Sequence, residues 1–285
     1  MEIINRIPRM ASAARELRLE RRRIGFVPTM GALHEGHLSL MTRAREMCDV
    51  LVISVFVNPA QFGPSEDFER YPRDLPHDAE LAFARGVDLI FAPTVEEMFP
   101  NGFSTYINVD GLSNKLEGAS RPGHFRGVTT VVAKLLNIVH PNFVFFGRKD
   151  AQQVILIKRM VRELAMGVEV VVSPTMRDED GLALSSRNAY LSTEERKAAL
   201  VLRRALERCR SLYNGGERDA SRMIAAMRGI IDQEPLARVD YIAITDTENL
   251  DDLEFISSSS PALVSMAAHI GSTRLIDNIV VNGQL

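Results

Sequence analysis

The chain reads as an α/β protein, with a doubly wound, Rossmann-like parallel sheet followed by a smaller C-terminal α+β domain. Three observations predict this class. From residue 24 to residue 174, short β-branched or aromatic runs alternate with segments of helical period. Those runs are continuously apolar, as strands covered on both faces must be. After residue 192 the order changes, with helices first and strands afterwards. With 285 residues, 46% hydrophobic and 25% charged, the chain is long enough for one large or two unequal domains. The expected division is 1–178 for the sheet domain and 179–285 for the second, the latter closing over a cleft in the former.

Through Arg23 the chain holds seven arginines against three glutamates, a composition similar to a transit peptide. A surface helix is the better reading: Ala14, Leu17 and Arg21 fall in helical register, and apolar strand residues follow with no linker left for cleavage. "IGFVP" (24–28) is a short buried strand. Residues 37–48 repeat apolar positions at Leu40, Met41, Ala44, Met47 and Cys48, a helical period. "VLVISVFV" (50–57) has the length of a central strand and falls far short of the ~18–20 residues of a membrane span.

Residues 58–74 hold three prolines and no period, which predicts a long loop, and such loops are usually functional or disordered. A helix over 76–85 opens on Pro76 and stops at Gly86. "VDLIFAP" (87–93) is a strand. Residues 127–139 place Val128, Val131, Val132, Leu135, Leu136 and Val139 on one helical stripe. "FVFFG" (143–147), a helix over 150–164 and "VEVVVSP" (168–174) complete the alternation. Beyond the polar loop 174–192, helices are expected at 193–213 and 218–233. Strands are expected at 239–245, 262–270 and 274–281, with "SSSS" (257–260) a surface loop.

Net charge is −3, so no global basic field marks a nucleic-acid binder. Cys48 and Cys209 sit in helix-like, apolar surroundings and read as two reduced, buried thiols of a cytoplasmic protein.

Ligands of a doubly wound sheet sit beyond the carboxyl ends of its strands. Four unusual segments fall there: "PTMGALHEGH", "NPAQF", "GRKDAQQ" and "PTMRDEDGLALSSRN". Parallel strands send all four to one rim. Gly31 and Gly36 allow close backbone approach, and His37 opens a helix whose N–H groups and dipole favour phosphate. His34 and His37, at i and i+3, can face one point. Lys149 begins another helix beside Asp150, and Ser185, Ser186 and Arg187 add two hydroxyls and a fork-shaped cation. Cations, hydroxyls and helix starts without a nucleophile suit a polyphosphate.

Plainer readings stand beside this one. A single histidine is ordinarily structural, "SSR" alone is a turn, and "FGRKD" alone is a solvated charge run. Zinc held by His34, His37 and an acid would need a third ligand that the sequence does not single out. The chain has no G-x-x-x-x-G-K-[ST] and no G-x-G-x-x-G after the first strand, which argues against a P-loop and a dinucleotide site.

His34-Glu35-Gly36-His37, after a strand and opening a helix, resembles the H-x-G-H signature of the nucleotidyltransferase superfamily that includes class I aminoacyl-tRNA synthetases. The wider set is similar to one family in it, the pantothenate synthetases (pantoate–β-alanine ligases). The matching stretches are "VPTMGALHEGHLSL", "SVFVNPAQFGPSEDFERYPRD", "EGASRPGHFRGVTTVVAKLLNIVHPNFVFFGRKDAQQ", "VSPTMRDEDGLALSSRNAYLS", "DYIAITDTENL" and "AHIGSTRLIDNI". The likeness spans nearly the whole chain and is far more specific than H-x-G-H alone.

The resemblance implies an enzyme of pantothenate biosynthesis that joins (R)-pantoate to β-alanine with ATP and Mg2+. The route runs through a pantoyl adenylate, releasing pyrophosphate and then AMP. It implies that His34 and His37 contact the phosphates, His37 as donor to the developing charge, and that Pro28, Met30 and Gly36 shape the nucleotide pocket. Lys149, Ser185, Ser186 and Arg187 would hold the triphosphate, Gly147 and Asp150 the ribose, and Met176 and Leu184 the adenine through their backbones. Gln61 and Gln153 would hold pantoate, with Asn58 and Arg121 assisting and Tyr71 in a loop that covers the cleft. A homodimer and a cytoplasmic location are implied too, with no nucleic-acid or membrane partner. Two departures stand out: His77 precedes Asp78 where many members carry two acids in a region associated with the metal, and Arg148 stands where an acid is common. No magnesium ligand is assigned from the sequence. A sister nucleotidyltransferase acting on a phosphate-bearing substrate, and a non-catalytic nucleotide sensor, are the rival readings.

Overall fold

The structure, a computed structural model, describes every residue of the chain except Ser65, which falls within the expected 58–74 loop. The chain forms two compact units. Residues 1–114, 118–148 and 152–174 make the first, and residues 115–117, 149–151 and 175–285 the second. The last crossing thus falls after Pro174, and two three-residue excursions from within the first unit's span belong to the second unit.

In the first unit, β1 (Glu2–Ile4), α1 (Ile7–Leu19), β2 (Ile24–Thr29), α2 (Glu35–Met47), β3 (Val50–Val55), α3 (Leu75–Ala84) and β4 (Leu89–Phe91) come first. After the short α4 (Val95–Met98) and α5 (Glu117–Ser120) come α6 (His124–Val139), β5 (Phe143–Gly147), α7 (Ala151–Glu163) and β6 (Glu169–Ser173). The six strands pair in the order β1-β4-β3-β2-β5-β6, all parallel. From β2 the chain steps outward to β3 and β4, then returns to place β5 on the other side of β2. The order therefore reverses between β2 and β5, where ligand crevices of open α/β sheets form.

Side-chain alternation divides the core. Val27, Leu51, Ile53, Ile90 and Phe145 pack against Leu38, Met41 and Ala44 of α2 and Ala82 of α3. Ile24 and Phe26, of opposite parity and fully buried, serve the other face. Right-handed crossovers put α1 and α6 there, where they pack on each other and on β2. The expected single stripe on α6 proves too narrow. Twelve of its sixteen residues are buried, including Thr129 and Thr130, whose hydroxyls bond to backbone carbonyls at Phe125 and Arg126. A helix with neighbours on most sides must be apolar, or internally satisfied, around most of its girth. The three-residue β1 escaped the periodicity reading because it is too short to show a period.

The second unit contains α8 (Thr193–Ala198), α9 (Leu200–Asn214), α10 (Ala220–Ile231), β7 (Ala237–Asp246), β8 (Ala262–Ile270) and β9 (Thr273–Val281). The helix expected at 193–213 is broken at Ala199, where Leu202 N bonds to Ala199 O in a tight turn, although the apolar period runs on through the break. The strands form an antiparallel sheet in sequence order, and α9 and α10 cover one face with Leu202, Leu206, Cys209, Met223 and Met227. Among the described residues, no helix is long and apolar enough to cross a membrane.

Candidate active site

The segment after β2 is built by close hydrogen bonding. The Thr29 hydroxyl donates to Ser54 O at 2.6 Å and accepts from Gly31 N at 3.2 Å. Gly31 has φ +81°, and a Cβ there would lie 2.8 Å from Asp78 Oδ2. Glycine is therefore required twice over, for its left-handed backbone and for the space. Asp78, only 1% exposed on α3, accepts from Leu33 N at 2.8 Å and from Ala32 N at 3.1 Å. Burial pushes its carboxyl above the usual carboxylate range, against the opposing pull of those two amides. The carboxylate is thus an anchor for the turn at 31–33, a role the sequence did not disclose.

That turn delivers His34 to the N-cap of α2. Its Nδ1 accepts from Gly36 N at 3.1 Å, while His37 Nδ1 accepts from His34 N at 3.4 Å, closing a reciprocal cap. The ring centroids are 4.2 Å apart. A backbone amide can only donate, so Nδ1 of each ring is unprotonated and the proton of the neutral imidazole sits on Nε2. Both half-buried rings thereby become oriented Nε2–H donors at a helix start, where anions are favoured. Half-buried Pro28 and Met30 lead into this turn, and Gly147 ends β5 across the strand-order reversal.

The segment after β3 is held from α6. Asn58 caps the 3₁₀ turn Pro59–Gln61, accepting from Ala60 N at 3.2 Å. Its amide donates to Gly127 O at 3.1 Å and to Gln61 Oε1 at 3.0 Å, and Gln61 Nε2 approaches Met30 Sδ at 2.9 Å. Asn58, expected beside the substrate, is 1% exposed and acts on Gln61 instead. A Cβ at Gly127 would meet Ala60 O at 2.1 Å, so only glycine lets α6 come this close.

Arg121, also expected beside the substrate, is engaged by Glu66. It donates from Nε to Oε1 at 2.8 Å and from Nη2 to Oε2. It also donates to His124 Nε2 at 3.1 Å, so that ring carries its proton on Nδ1 and donates to Gln61 O at 2.8 Å. Burial alone would raise the Glu66 carboxyl, but the hydrogen bonds and charge of the Arg121 guanidinium overrule it and hold it below the usual range. Tyr71, expected as a cover, is buried edge-on against Phe62, which also meets Phe68, so it anchors the loop from within. Gln153 lies half-buried on α7, next to Gln152, whose amide donates to Leu112 O at 3.0 Å.

In the second unit, Lys149 is half-buried with Nζ 3.7 Å from Asp150 Oδ1, and Asp150 is exposed. Residues 176–184 form a hairpin: Leu184 N donates to Met176 O at 3.0 Å, Asp178 N to Leu182 O at 2.9 Å, and Arg177 bridges Ala183. The Met176 carbonyl and Leu184 amide, expected near a base, thus bond to each other. Ser185 Oγ accepts from Arg187 N at 3.3 Å and opens a 3₁₀ turn over Ser186–Tyr190, leaving Ser185, Ser186 and Arg187 half-buried along it.

Among the described residues, no three His, Cys, Asp or Glu side chains come together as a metal cage. Asp78, the acid nearest the expected metal region, is 1% exposed and accepts from two backbone amides, so it serves the 31–33 turn, and no magnesium ligand is assigned to it. Cys48 and Cys209 are buried free thiols, and burial pushes the Cys209 thiol up to about 12, far from nucleophilic use. Glu66, Asp78, His124 and the β9 pair Asp277–Asn278 were missed as supporting residues. Only the last carries a sequence signal, two adjacent polar residues inside the apolar run "RLIDNIVV".

The fold and site define an α/β protein with an H-x-G-H helix start at its topological switch point. A family model described as pantoate-beta-alanine ligase matches residues 2–280. A pantothenate synthetase of Pelotomaculum thermopropionicum is 56% identical over 285 residues, covering 100% of both chains. One of Heliobacterium modesticaldum is 54% identical over 281 residues, covering 99% of each. The crystal structure of pantothenate synthetase from Thermus thermophilus superposes with a TM-score of 0.91 at 48% identity, covering 98% of this chain and 99% of that one. That of pantoate-beta-alanine ligase from Francisella tularensis, complexed with beta-gamma ATP and beta-alanine, gives 0.78 at 35% identity, covering 98% and 97%. The chain belongs to the pantoate–β-alanine ligase family.

Proposed function

We propose that the chain joins (R)-pantoate to β-alanine by using ATP to form a pantoyl-adenylate intermediate. The observation that carries this reading is the reciprocal histidine cap, two imidazoles fixed with Nε2–H as donor at the start of α2, beside the β2–β5 reversal. A free carboxylate does not acylate an amine, because oxide is a hopeless leaving group. In the first step a pantoate carboxylate oxygen attacks the α-phosphorus of ATP and the bond to pyrophosphate breaks. In the second the β-alanine amine attacks the pantoyl carbonyl, AMP leaves with the bonding pair, and the amine gives up a proton.

Both reactants bring their own nucleophiles, so the chain's task is alignment and absorption of charge. Holding the pair in place supplies on the order of 7–11 kcal/mol, and each donor that engages only in the transition state adds about 3–4 kcal/mol. His37 donates from Nε2 to the charge growing on the phosphates, with His34 beside it. Lys149, Ser185, Ser186 and Arg187 hold the triphosphate, Pro28, Met30 and Gly36 shape the nucleotide pocket, and Gly147 and Asp150 take the ribose. Met176 and Leu184 border the adenine. Gln61, oriented by Asn58, and Gln153 take pantoate. Arg121 supports Gln61 through its backbone carbonyl and His124. The loop around Phe62, Phe68 and Tyr71 excludes water that would hydrolyse the adenylate. Magnesium travels with the phosphates rather than in a protein cage, and no step above is routed through it. The reducing cytoplasm suits the two free thiols, and a homodimer completes the reading.

The test is exchange of labelled pyrophosphate into ATP. Exchange that requires pantoate, together with AMP release once β-alanine is added, supports the proposal. Exchange driven by a phosphomonoester instead, or ATP binding without AMP release, would refute it.

A further inference from the structure

Strand β9 faces two ways. Leu275, Ile279 and Val281 point into the apolar core beneath α9 and α10. Asp277 has their parity and is 3% exposed, so an acid sits where an apolar residue belongs. It is paired there with Arg177, Nη1 to Oδ2 at 2.7 Å and Nη2 to Oδ1 at 2.8 Å, and Arg177 Nη1 also donates to Gly181 O at 3.0 Å. The carboxylate thus fixes the Arg177 guanidinium, which itself ties one arm of the 176–184 hairpin to its tip, and that hairpin runs directly into Ser185. Asn278, of opposite parity and 4% exposed, donates from Nδ2 to Lys149 O at 2.7 Å. Its own backbone N–H donates to Asp277 Oδ1 at 2.8 Å, joining the two contacts.

An ion pair buried in a core is a poor source of stability, because desolvation offsets most of the attraction, whereas apolar residues of equal volume pack at less cost. What such a pair does supply is a fixed geometry. We infer that Asp277 and Asn278 are positioning residues that set Lys149 and the Ser185–Arg187 turn in mutual register. The inference rests on the functional reading above, in which both groups hold the triphosphate. It explains why a three-residue piece, 149–151, belongs to the second unit while the residues on either side of it belong to the first. It also gives a role to the two adjacent polar residues inside the apolar run "RLIDNIVV".

The experiment is a double-mutant cycle on the whole enzyme, reading pantoate-dependent pyrophosphate exchange, the KM values of pantoate and β-alanine, and the thermal midpoint. Asn278→Asp keeps the shape but removes the donor and turns a carboxylate toward the Lys149 carbonyl. The expected result is a fall in exchange kcat of ~10-fold or more, with both KM values unchanged and less than ~2-fold further loss in a Lys149→Ala background. If Asn278→Asp does not fold, Asn278→Ala, which drops the donor without the repulsion, carries the same cycle with the same expectation. Losses that multiply fully across the two sites, or a lowered midpoint with kcat intact, would overturn the inference while Lys149 keeps its role. A Lys149→Ala enzyme of wild-type rate would overturn the triphosphate reading itself, and the inference with it.

Discussion

Asp78→Asn tests how the histidine turn is held. The carboxylate accepts two amides, Leu33 N at 2.8 Å and Ala32 N at 3.1 Å, from a position 1% exposed. An asparagine of the same shape keeps one acceptor oxygen and presents an NH2 group to the other amide. One charge-assisted bond is lost and one buried N–H is left without an acceptor, together about 1.5–3 kcal/mol. Part of this is returned, because burial already disfavours the ionised carboxyl and holds its pKa up. A net loss of about 1–2 kcal/mol is expected, which lowers the thermal midpoint by about 2–4 °C for each kcal/mol. The larger effect falls on rate. The freed amide belongs to the turn that aims both imidazoles, and a misplacement on the order of 1 Å at a reacting group can cost about 100-fold. The assay is steady-state AMP release across a magnesium titration. The expected outcome is kcat reduced ~10- to 100-fold with an unshifted magnesium dependence. A normal kcat, or recovery at high magnesium, would refute the reasoning, since the second result makes Asp78 a metal ligand.

His37→Ala is expected to bind ATP yet form adenylate at least ~100-fold more slowly, the scale of one lost donor; equilibrium binding and single-turnover kinetics check it, and a near-normal rate would make His37 structural. Glu66→Gln should flatten the acid limb of the stability curve. The folded Glu66 carboxyl lies below its ordinary value, so its pairing with Arg121 is fully present above the unfolded carboxylate range of about 4.3 and is lost as pH falls through the lower folded value. Thermal midpoints from pH 7 to 3 should therefore converge for wild type and variant at the acid end, and curves that stay parallel would contradict the assignment. Gly127→Ala puts a Cβ 2.1 Å from Ala60 O and must push the 58–61 turn off α6. A lowered midpoint and a raised pantoate KM are expected by calorimetry and kinetics, and an unchanged KM would separate that turn from pantoate.

The parallel sheet was legible because its strands are apolar on both sides and its helices carry clean periods, as "VLVISVFV" and residues 37–48 show. The histidine pair was legible because imidazoles around a glycine at a strand end have little use in a core. Its support was hidden. Asp78 looks like any first-turn helix acid until the fold brings Ala32 and Leu33 to it, 46 and 45 residues away in sequence. Asn58 and Arg121 have the residue types of ligand contacts, and only packing shows that one serves Gln61 and the other is held by Glu66. The break at Ala199 left no trace, because a buried alanine in tight-turn geometry keeps the apolar period intact. The two excursions assigned to the second unit are too short to shift composition at all.

The most direct measurement follows oxygen. Pantoate labelled with 18O in its carboxylate is turned over with ATP and β-alanine, and the AMP is examined by mass spectrometry. If the carboxylate attacks the α-phosphorus, one labelled oxygen per turnover appears in AMP and the other stays in the new amide. AMP without label, or label recovered in inorganic phosphate, would show that the acid is activated in another way and would contradict the account.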